Sequence, residues 1–242
     1  RRYQGVRAGD GAPLEVFVLD RDLEGAGLAQ AVWRSLRLRE SSASGFNMRR
    51  SLEQRALMSY AAANAGAPTT PLLAAREIGP DSSLLAYARV DGQTLDTLQP
   101  DEVTDEVLDH AWTAVASLRA AGIAHRRLTA DHLLLQPDGT IRVLAIGEGS
   151  IAAGDVVLRI DLAEMLCTLA LLAGSERAIA SGRRVLGPEV LVTALPVLQP
   201  VALSPTTKRA VRKNKQLLID LRDQLIELRP DAEVEHIELE RI

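Results

Sequence analysis

Three kinds of residue are scarce in this chain of 242 residues, and each scarcity excludes a class of protein. The single cysteine, Cys167, excludes a disulfide framework and a cysteine zinc site, and it favours a reducing compartment. Aromatic residues make up 3% of the chain, which leaves few side chains on which single-stranded nucleic acid could stack. Lysine is absent from residues 1–207. Because arginine cannot replace a lysine that must deprotonate or act as a point charge, most of the chain lacks a phosphate-binding lysine.

Long hydrophobic runs are also missing. The two longest apolar stretches, residues 162–173 and 190–203, are interrupted by Glu164 and by Pro196, Gln199 and Pro200. Neither reaches the ~20 apolar residues that a membrane span needs. The net charge of -4 argues against a nucleic-acid partner. The chain begins at Arg1 rather than Met, so we expect it to be a piece of a longer protein.

Hydrophobic periodicity predicts strands early in the chain and helices late. Alternating or continuous apolar residues predict strands at residues 14–19, 72–76 and 84–90, with a turn at 79–81, and a hairpin of residues 133–135 with 141–146. Apolar residues at helical spacing predict helices at residues 28–38, 52–65, 104–121, 161–172 and 206–229. Residues 1–13 and 41–45 are predicted as loops. This order favours an α+β fold.

Two segments carry a specific motif. Residues 121–135 read AGIAHRRLTADHLLL and residues 143–149 read VLAIGEG, and a helix with Asp161 near its start follows. Their order and spacing resemble the catalytic loop, hairpin and metal-binding turn of the protein-kinase-like fold, in the branch of aminoglycoside phosphotransferases and lipopolysaccharide-type kinases. The resemblance implies two lobes, a small, mostly β lobe at residues 1–92 and a larger helical lobe at 93–242. It also implies that His125 is a packed structural residue and that Asp161 accepts hydrogen bonds from the loop backbone.

Carried over by position, the catalytic groups of the family are missing from the second lobe. The general base falls on Arg127, a permanent cation that cannot take a proton. The metal-binding asparagine falls on His132 and the metal-binding aspartate on Gly147, so magnesium would lack its preferred oxygen ligands. The resemblance therefore implies a degenerate site without a metal or another cofactor.

The first lobe shows the same loss. The strand lysine of the family falls on Phe17, and its glutamate partner falls on either Glu53 or Arg55, depending on a register that the sequence leaves open. We therefore expect a pseudokinase, catalytically inactive and not expected to bind a nucleotide. One alternative is a divergent small-molecule phosphotransferase in which Glu148 binds metal and Asp131 acts as base. Another is a purely structural cap.

A basic cluster lies near the chain end and comprises Lys208, Arg209, Arg212, Lys213 and Lys215. Cations at the start of the predicted helix 206–229 oppose the helix dipole, which suggests an external partner such as an anionic membrane surface. An ordinary solvated helix face is the other interpretation. The arginine-rich composition also resembles the cytoplasmic kinase-like domain of actinobacterial integral membrane proteins of the lysylphosphatidylglycerol-synthase/flippase-like group. That resemblance implies a regulatory or partner-binding domain on the cytoplasmic side of the membrane. Its partner would be a protein or its own membrane domain, in a parent that handles envelope lipid or glycolipid.

Overall fold

The computed structural model describes residues 1–20, 48–79 and 82–228, and it has a mixed α+β architecture. The predicted helix 28–38, the predicted loop 41–45 and part of the predicted turn 79–81 lie outside the described residues. The chain divides into two compact units. Described residues within 1–60 and 70–90 form the first, and those within 61–69 and 91–239 form the second.

The first unit contains a four-stranded antiparallel sheet. Its strands are β1 (Arg2–Val6), β2 (Pro13–Asp20), β3 (Leu72–Gly79) and β4 (Ser82–Ala88), in the order β1-β2-β4-β3. The strands predicted at 14–19 and 72–76 are confirmed, whereas the strand predicted at 84–90 begins and ends two residues earlier, at Ser82 and Ala88. The loop predicted for residues 1–13 is wrong, since β1 pairs with β2. All five residues of β1 are exposed, so no hydrophobic alternation marks it in the sequence.

Helix α1 (Met48–Asn64) begins before the predicted residue 52. Its buried residues, Leu52, Met58, Ser59 and Ala62, follow the helical repeat. The Ser59 hydroxyl lies 3.2 Å from the Tyr87 hydroxyl of β4, which joins the helix to one face of the sheet. The helix stops before Gly66, whose φ of 72° is favourable for glycine.

The second unit begins with a small sheet and a long helix. Strands β5 (Gln93–Thr94), β6 (Leu133–Leu135) and β7 (Ile141–Val143) pair in that order. Helix α2 (Asp105–Ala120) confirms the prediction for residues 104–121, with the Thr104 side chain accepting a hydrogen bond from the Val107 N–H. The predicted strand 141–146 is too long. It ends at Val143 because Ala145 is left-handed and a 3-10 turn, Ile146–Glu148, follows.

Five more α-helices follow in the described part of the second unit. Helix α3 (Asp155–Ala173) starts earlier than the predicted residue 161, and Asp161 to Ala170 are all buried. Helices α4 (Ser175–Leu186) and α5 (Pro188–Val192) were not predicted. The buried residues of α4 are Ala178, Ile179, Ser181 and Gly182, so its core face carries few large apolar side chains. Because three of these four residues are small, no repeat of large apolar residues marks this helix in the sequence.

The predicted helix 206–229 is two helices. Helix α6 (Pro205–Lys213) and helix α7 (Lys215–Leu228) are separated by Asn214, which has φ -121° and ψ 76°. The helix-dipole argument is therefore wrong for Arg212 and Lys213, which lie in the last turn of α6, where cations are favoured. Lys215 is the first residue of α7, where a cation does oppose the dipole. Among the described residues, no helix combines the length and apolarity needed to cross a bilayer.

Candidate functional site

The loop that follows α2 is held by the buried carboxylate of Asp161. The backbone N–H of His125 donates to Asp161 Oδ2 at 2.5 Å, and the N–H of Arg126 donates to Oδ1 at 2.7 Å. These are the bonds that the kinase resemblance implied for Asp161. Burial raises the pKa of Asp161 to about 7, although the two hydrogen bonds act in the opposite direction.

Main-chain bonds close the same loop onto the segment after Gly147. Ala124 and Ser150 exchange two backbone hydrogen bonds, of 3.0 and 2.9 Å, and Ala153 N–H donates to Gly122 O at 2.9 Å. Three non-glycine residues in these segments have positive φ: Arg126 at 69°, Ala145 at 56° and Ala152 at 50°. Such backbone strain is concentrated at functional sites in proteins, which makes this region the candidate site.

His125 has a structural position in the loop. Only 2% of the residue is exposed. Its Nδ1 accepts a hydrogen bond from Arg127 N–H at 3.3 Å, so Nε2 carries the proton and donates to Leu144 O at 2.7 Å. Burial lowers the pKa of His125 to about 4, so the ring is neutral at physiological pH.

A chain of side-chain hydrogen bonds starts at Arg127. Its Nη2 donates to His132 Nε2 at 2.8 Å, which leaves the proton on His132 Nδ1. The Nδ1–H group donates to the Thr129 hydroxyl, with Nδ1 and Oγ1 2.7 Å apart, and that hydroxyl donates to Asp131 Oδ1 at 2.5 Å. The pKa of His132 is lowered, mainly by burial and then by the charge of Arg127. Thr129 was not predicted as a site residue.

Glu148 lies next to the same arginine. Its Oε2 is 3.7 Å from Arg127 Nη1, and both side chains are partly exposed. Gly147, in the same 3-10 turn, is buried and offers no ligand. A divalent ion at Glu148 would therefore approach a guanidinium group, which opposes its binding. No cluster of three or more His, Cys, Asp or Glu side chains suited to a metal ion occurs in residues 1–20, 48–79 and 82–228.

Phe17 lies on β2 in the first unit, half-buried. Its ring meets the Tyr87 ring edge to face, with centroids 5.7 Å apart, and the guanidinium carbon of Arg2 lies 5.9 Å from the Phe17 centroid. Phe17 is thus an apolar ring with an aromatic and a cationic neighbour.

Glu53 and Arg55 have different surroundings on α1. The Glu53 side chain is 61% exposed and pairs with Arg49 at 2.9 Å. Arg55 is half-buried and shares a helix face with Leu52 and Ser59. Its charge acts on Tyr87, whose pKa is nevertheless raised because burial is the larger effect. The residue directed toward the sheet is therefore a cation.

The basic cluster is distant in sequence from the loop residues, and separate buried hydrogen bonds hold the helix that carries most of it. Arg209, Arg212, Lys213 and Lys215 are exposed, and Lys208 is half-buried. Beneath α6 lies Glu164, which is 2% exposed. Its carboxylate accepts hydrogen bonds from the Ser204 N–H at 2.8 Å, the Ser204 hydroxyl at 2.6 Å and the Thr207 hydroxyl at 2.5 Å. As the lone acid of the apolar stretch 162–173, Glu164 was the available sequence signal for such a buried network.

Comparisons with known proteins add no assignment to this geometry. No protein-family model matches the chain, and no curated protein matches it significantly.

Proposed function

We propose that this chain is a catalytically inactive kinase-like domain, with lobes at residues 1–92 and 93–242, that binds or regulates a partner. The mixed α+β architecture and the Asp161-anchored loop support the proposal. The observation that carries it is the pairing of Arg127 with His132 Nε2 at 2.8 Å, close to Glu148. An arginine held in this way supplies a cation where phosphoryl transfer requires a base.

The same contacts weigh against a phosphotransferase that uses Glu148 and Asp131. Phosphoryl transfer depends on metal ions and cations that stabilise spread-out negative charge. Glu148 already lies 3.7 Å from Arg127, and Asp131 accepts a hydrogen bond from Thr129 at 2.5 Å. Glu148 therefore has a cation where a magnesium ion would bind, and the hydrogen bond from Thr129 helps to lower the pKa of Asp131, which makes it a weaker base.

We further propose that the domain belongs to a larger integral membrane protein, on its cytoplasmic side, that handles envelope lipid or glycolipid. The support is the resemblance of its degenerate loop and arginine-rich composition to domains of that kind. The partner is then a protein or the membrane part of the same chain, and no nucleic acid or cofactor is required.

The test is nucleotide binding and turnover by the purified protein. Thermal unfolding is followed with and without ATP, in the presence and absence of magnesium, and phosphate release is measured in parallel. A ligand at 100 times its dissociation constant would add about 2.7 kcal/mol of stability. We expect no shift and no phosphate release, in the wild type and in Glu148→Gln alike. Magnesium-dependent phosphate release that disappears in Glu148→Gln, but persists in the matched exposed variant Glu227→Gln, would refute the proposal.

A further inference from the structure

The distribution of charge around α6 is strongly asymmetric. Residues 190–219 contain no aspartate or glutamate, although the chain has 32 acidic residues and a net charge of -4. All lysines of the chain lie in this stretch, at Lys208, Lys213 and Lys215. A positive surface therefore interrupts an acidic protein.

Three basic residues of α6 lie on one side of the helix. Thr207 and Val211 are buried, whereas Arg209, Arg212 and Lys213, at spacings of three and four residues, are exposed on the opposite face. Lys215 follows directly after the break at Asn214 and is also exposed. We call these four side chains the α6 basic face. Within the described residues, none of the four forms an ion pair.

Buried contacts hold the α6 basic face in place. Ser204 caps α6, and Ser204 and Thr207 both donate to the carboxylate of Glu164. The charge of Glu164 lies beneath the helix and is 2% exposed, with three hydrogen bonds satisfying it. The basic side chains are thus presented from a fixed helix.

We propose that the α6 basic face docks on a bilayer surface rich in anionic phospholipid. The proposal goes beyond the inactive-kinase function and does not depend on it. Charge complementarity points to an anionic partner. Ile219, one turn after Lys215 on α7, is 50% exposed and supplies an apolar contact that the headgroup region can accept. The 3% aromatic content disfavours single-stranded nucleic acid as the partner.

The experiment is vesicle co-sedimentation of the whole chain, with vesicles of phosphatidylcholine alone and vesicles containing about 30% phosphatidylserine, comparable to an acidic leaflet. We expect binding only to the acidic vesicles, and weaker binding as salt shortens the screening length from about 10 Å at 0.1 M to about 3 Å at 1 M. The test variant is Arg209→Gln, Arg212→Gln and Lys213→Gln together. Since each basic residue near an acidic leaflet contributes roughly a factor of five, its affinity should fall about 100-fold.

The matched control removes three arginines elsewhere: Arg76→Gln, Arg89→Gln and Arg183→Gln. Both triple variants change the net charge from -4 to -7, because three positive charges are lost in each. We expect the control to bind acidic vesicles as the wild type does. Equal weakening in both variants would reduce the effect to net charge and overturn the proposal.

Two further measurements distinguish lipid from other anionic partners. Ile219→Ser should weaken binding to acidic vesicles several-fold and leave binding to polyuridylate or heparin unchanged, since only lipid accepts the isoleucine side chain. Equal binding to neutral and acidic vesicles, or tighter binding to polyuridylate than to acidic vesicles, would overturn the proposal. If the triple variant fails to fold, the salt titration of the wild type and the Ile219→Ser variant still test the proposal.

Discussion

Replacing Glu164 by glutamine tests the buried network beneath α6. The carboxylate of Glu164 accepts three hydrogen bonds, one from the Ser204 N–H and two from the hydroxyls of Ser204 and Thr207. Glutamine has nearly the same shape but only one acceptor oxygen. Its amide N–H2 group therefore faces either the Ser204 N–H, which can only donate, or the two hydroxyls, which must turn to accept and so lose the bonds that they donate to the carboxylate.

The magnitude follows from the contacts that are lost. A buried donor left without an acceptor costs about 1 to 3 kcal/mol, and each hydroxyl bond that loses its charged acceptor weakens by about 1 kcal/mol. The uncharged amide is also easier to bury than a carboxylate, which offsets part of this loss. We expect Glu164→Gln to lower the free energy of unfolding by about 2 kcal/mol. With a urea m-value of about 2 kcal/mol/M, the midpoint moves by about 1 M.

The assay is urea unfolding followed by circular dichroism, together with amide hydrogen exchange at Ser204 and Thr207. Glu227→Gln is the control, since Glu227 is an exposed acid on α7 and its loss should change stability by less than about 0.5 kcal/mol. The network is not stabilising if Glu164→Gln costs no more than Glu227→Gln and exchange at Ser204 is unchanged.

Three further predictions concern the candidate site. Asp161→Ala removes the acceptor of two backbone N–H groups, so amide exchange at His125 and Arg126 should accelerate by about 5- to 150-fold, corresponding to about 1 to 3 kcal/mol. His125 has a folded-state pKa of about 4 against an ordinary value of 6.5, so its contribution to stability is present above pH 6.5 and is lost as pH falls toward 4. In urea unfolding at several pH values, wild type should lose about 3 kcal/mol relative to His125→Gln across this range. Arg127→Met removes a cation that lowers the pKa of His132, so NMR titration should show that pKa rising.

Each of these has a control and a contrary outcome. Asp155→Ala, an exposed change on the same helix, should leave exchange in the loop unaltered, and similar exchange in both variants would remove the anchoring role of Asp161. The raised pKa of Asp161 has the opposite linkage, with stability lost as pH rises toward 7. This effect of Asp161 is the same in wild type and in His125→Gln, so it cancels in their comparison. If the unfolding free energies of the two proteins change in parallel with pH, the burial of a neutral His125 is contradicted. Arg126→Met should leave the pKa of His132 unchanged. If Arg126→Met raises that pKa as much as Arg127→Met does, the effect is not specific to Arg127.

Hydrophobic patterning was sufficient where apolar residues form a run or a regular repeat. Strand β2 follows its predicted range because residues 16–19 are a continuous apolar run, and helix α2 follows its range because its apolar residues repeat at the helix period. Strand β1 has no such signal, since every residue in it is exposed. The break at Asn214 was missed because apolar residues continue at helical spacing across it, from Val211 to Leu218.

Only the residues that support the loop backbone were predicted from the sequence. The motif indicated that Asp161 would contact the loop backbone and that His125 would be packed. The contact between Arg127 and His132, and the part of Thr129 in it, depend on side-chain directions that spacing does not determine. The helix register that turns Arg55 rather than Glu53 toward the sheet likewise required the structure.

The hydrogen bonds that close the loop carrying Arg127, His132 and Gly147 are made by other residues. Its ends are joined through main-chain groups of Ala124 and Ser150, and its backbone is anchored by Asp161 from α3. Main-chain hydrogen bonds are available to almost any residue. Side chains on residues 126–148 can therefore diverge over generations while the closed loop persists. The closed shape of the loop and the identity of its side chains are separable here, so a lineage could keep the surface while the side chains on it change.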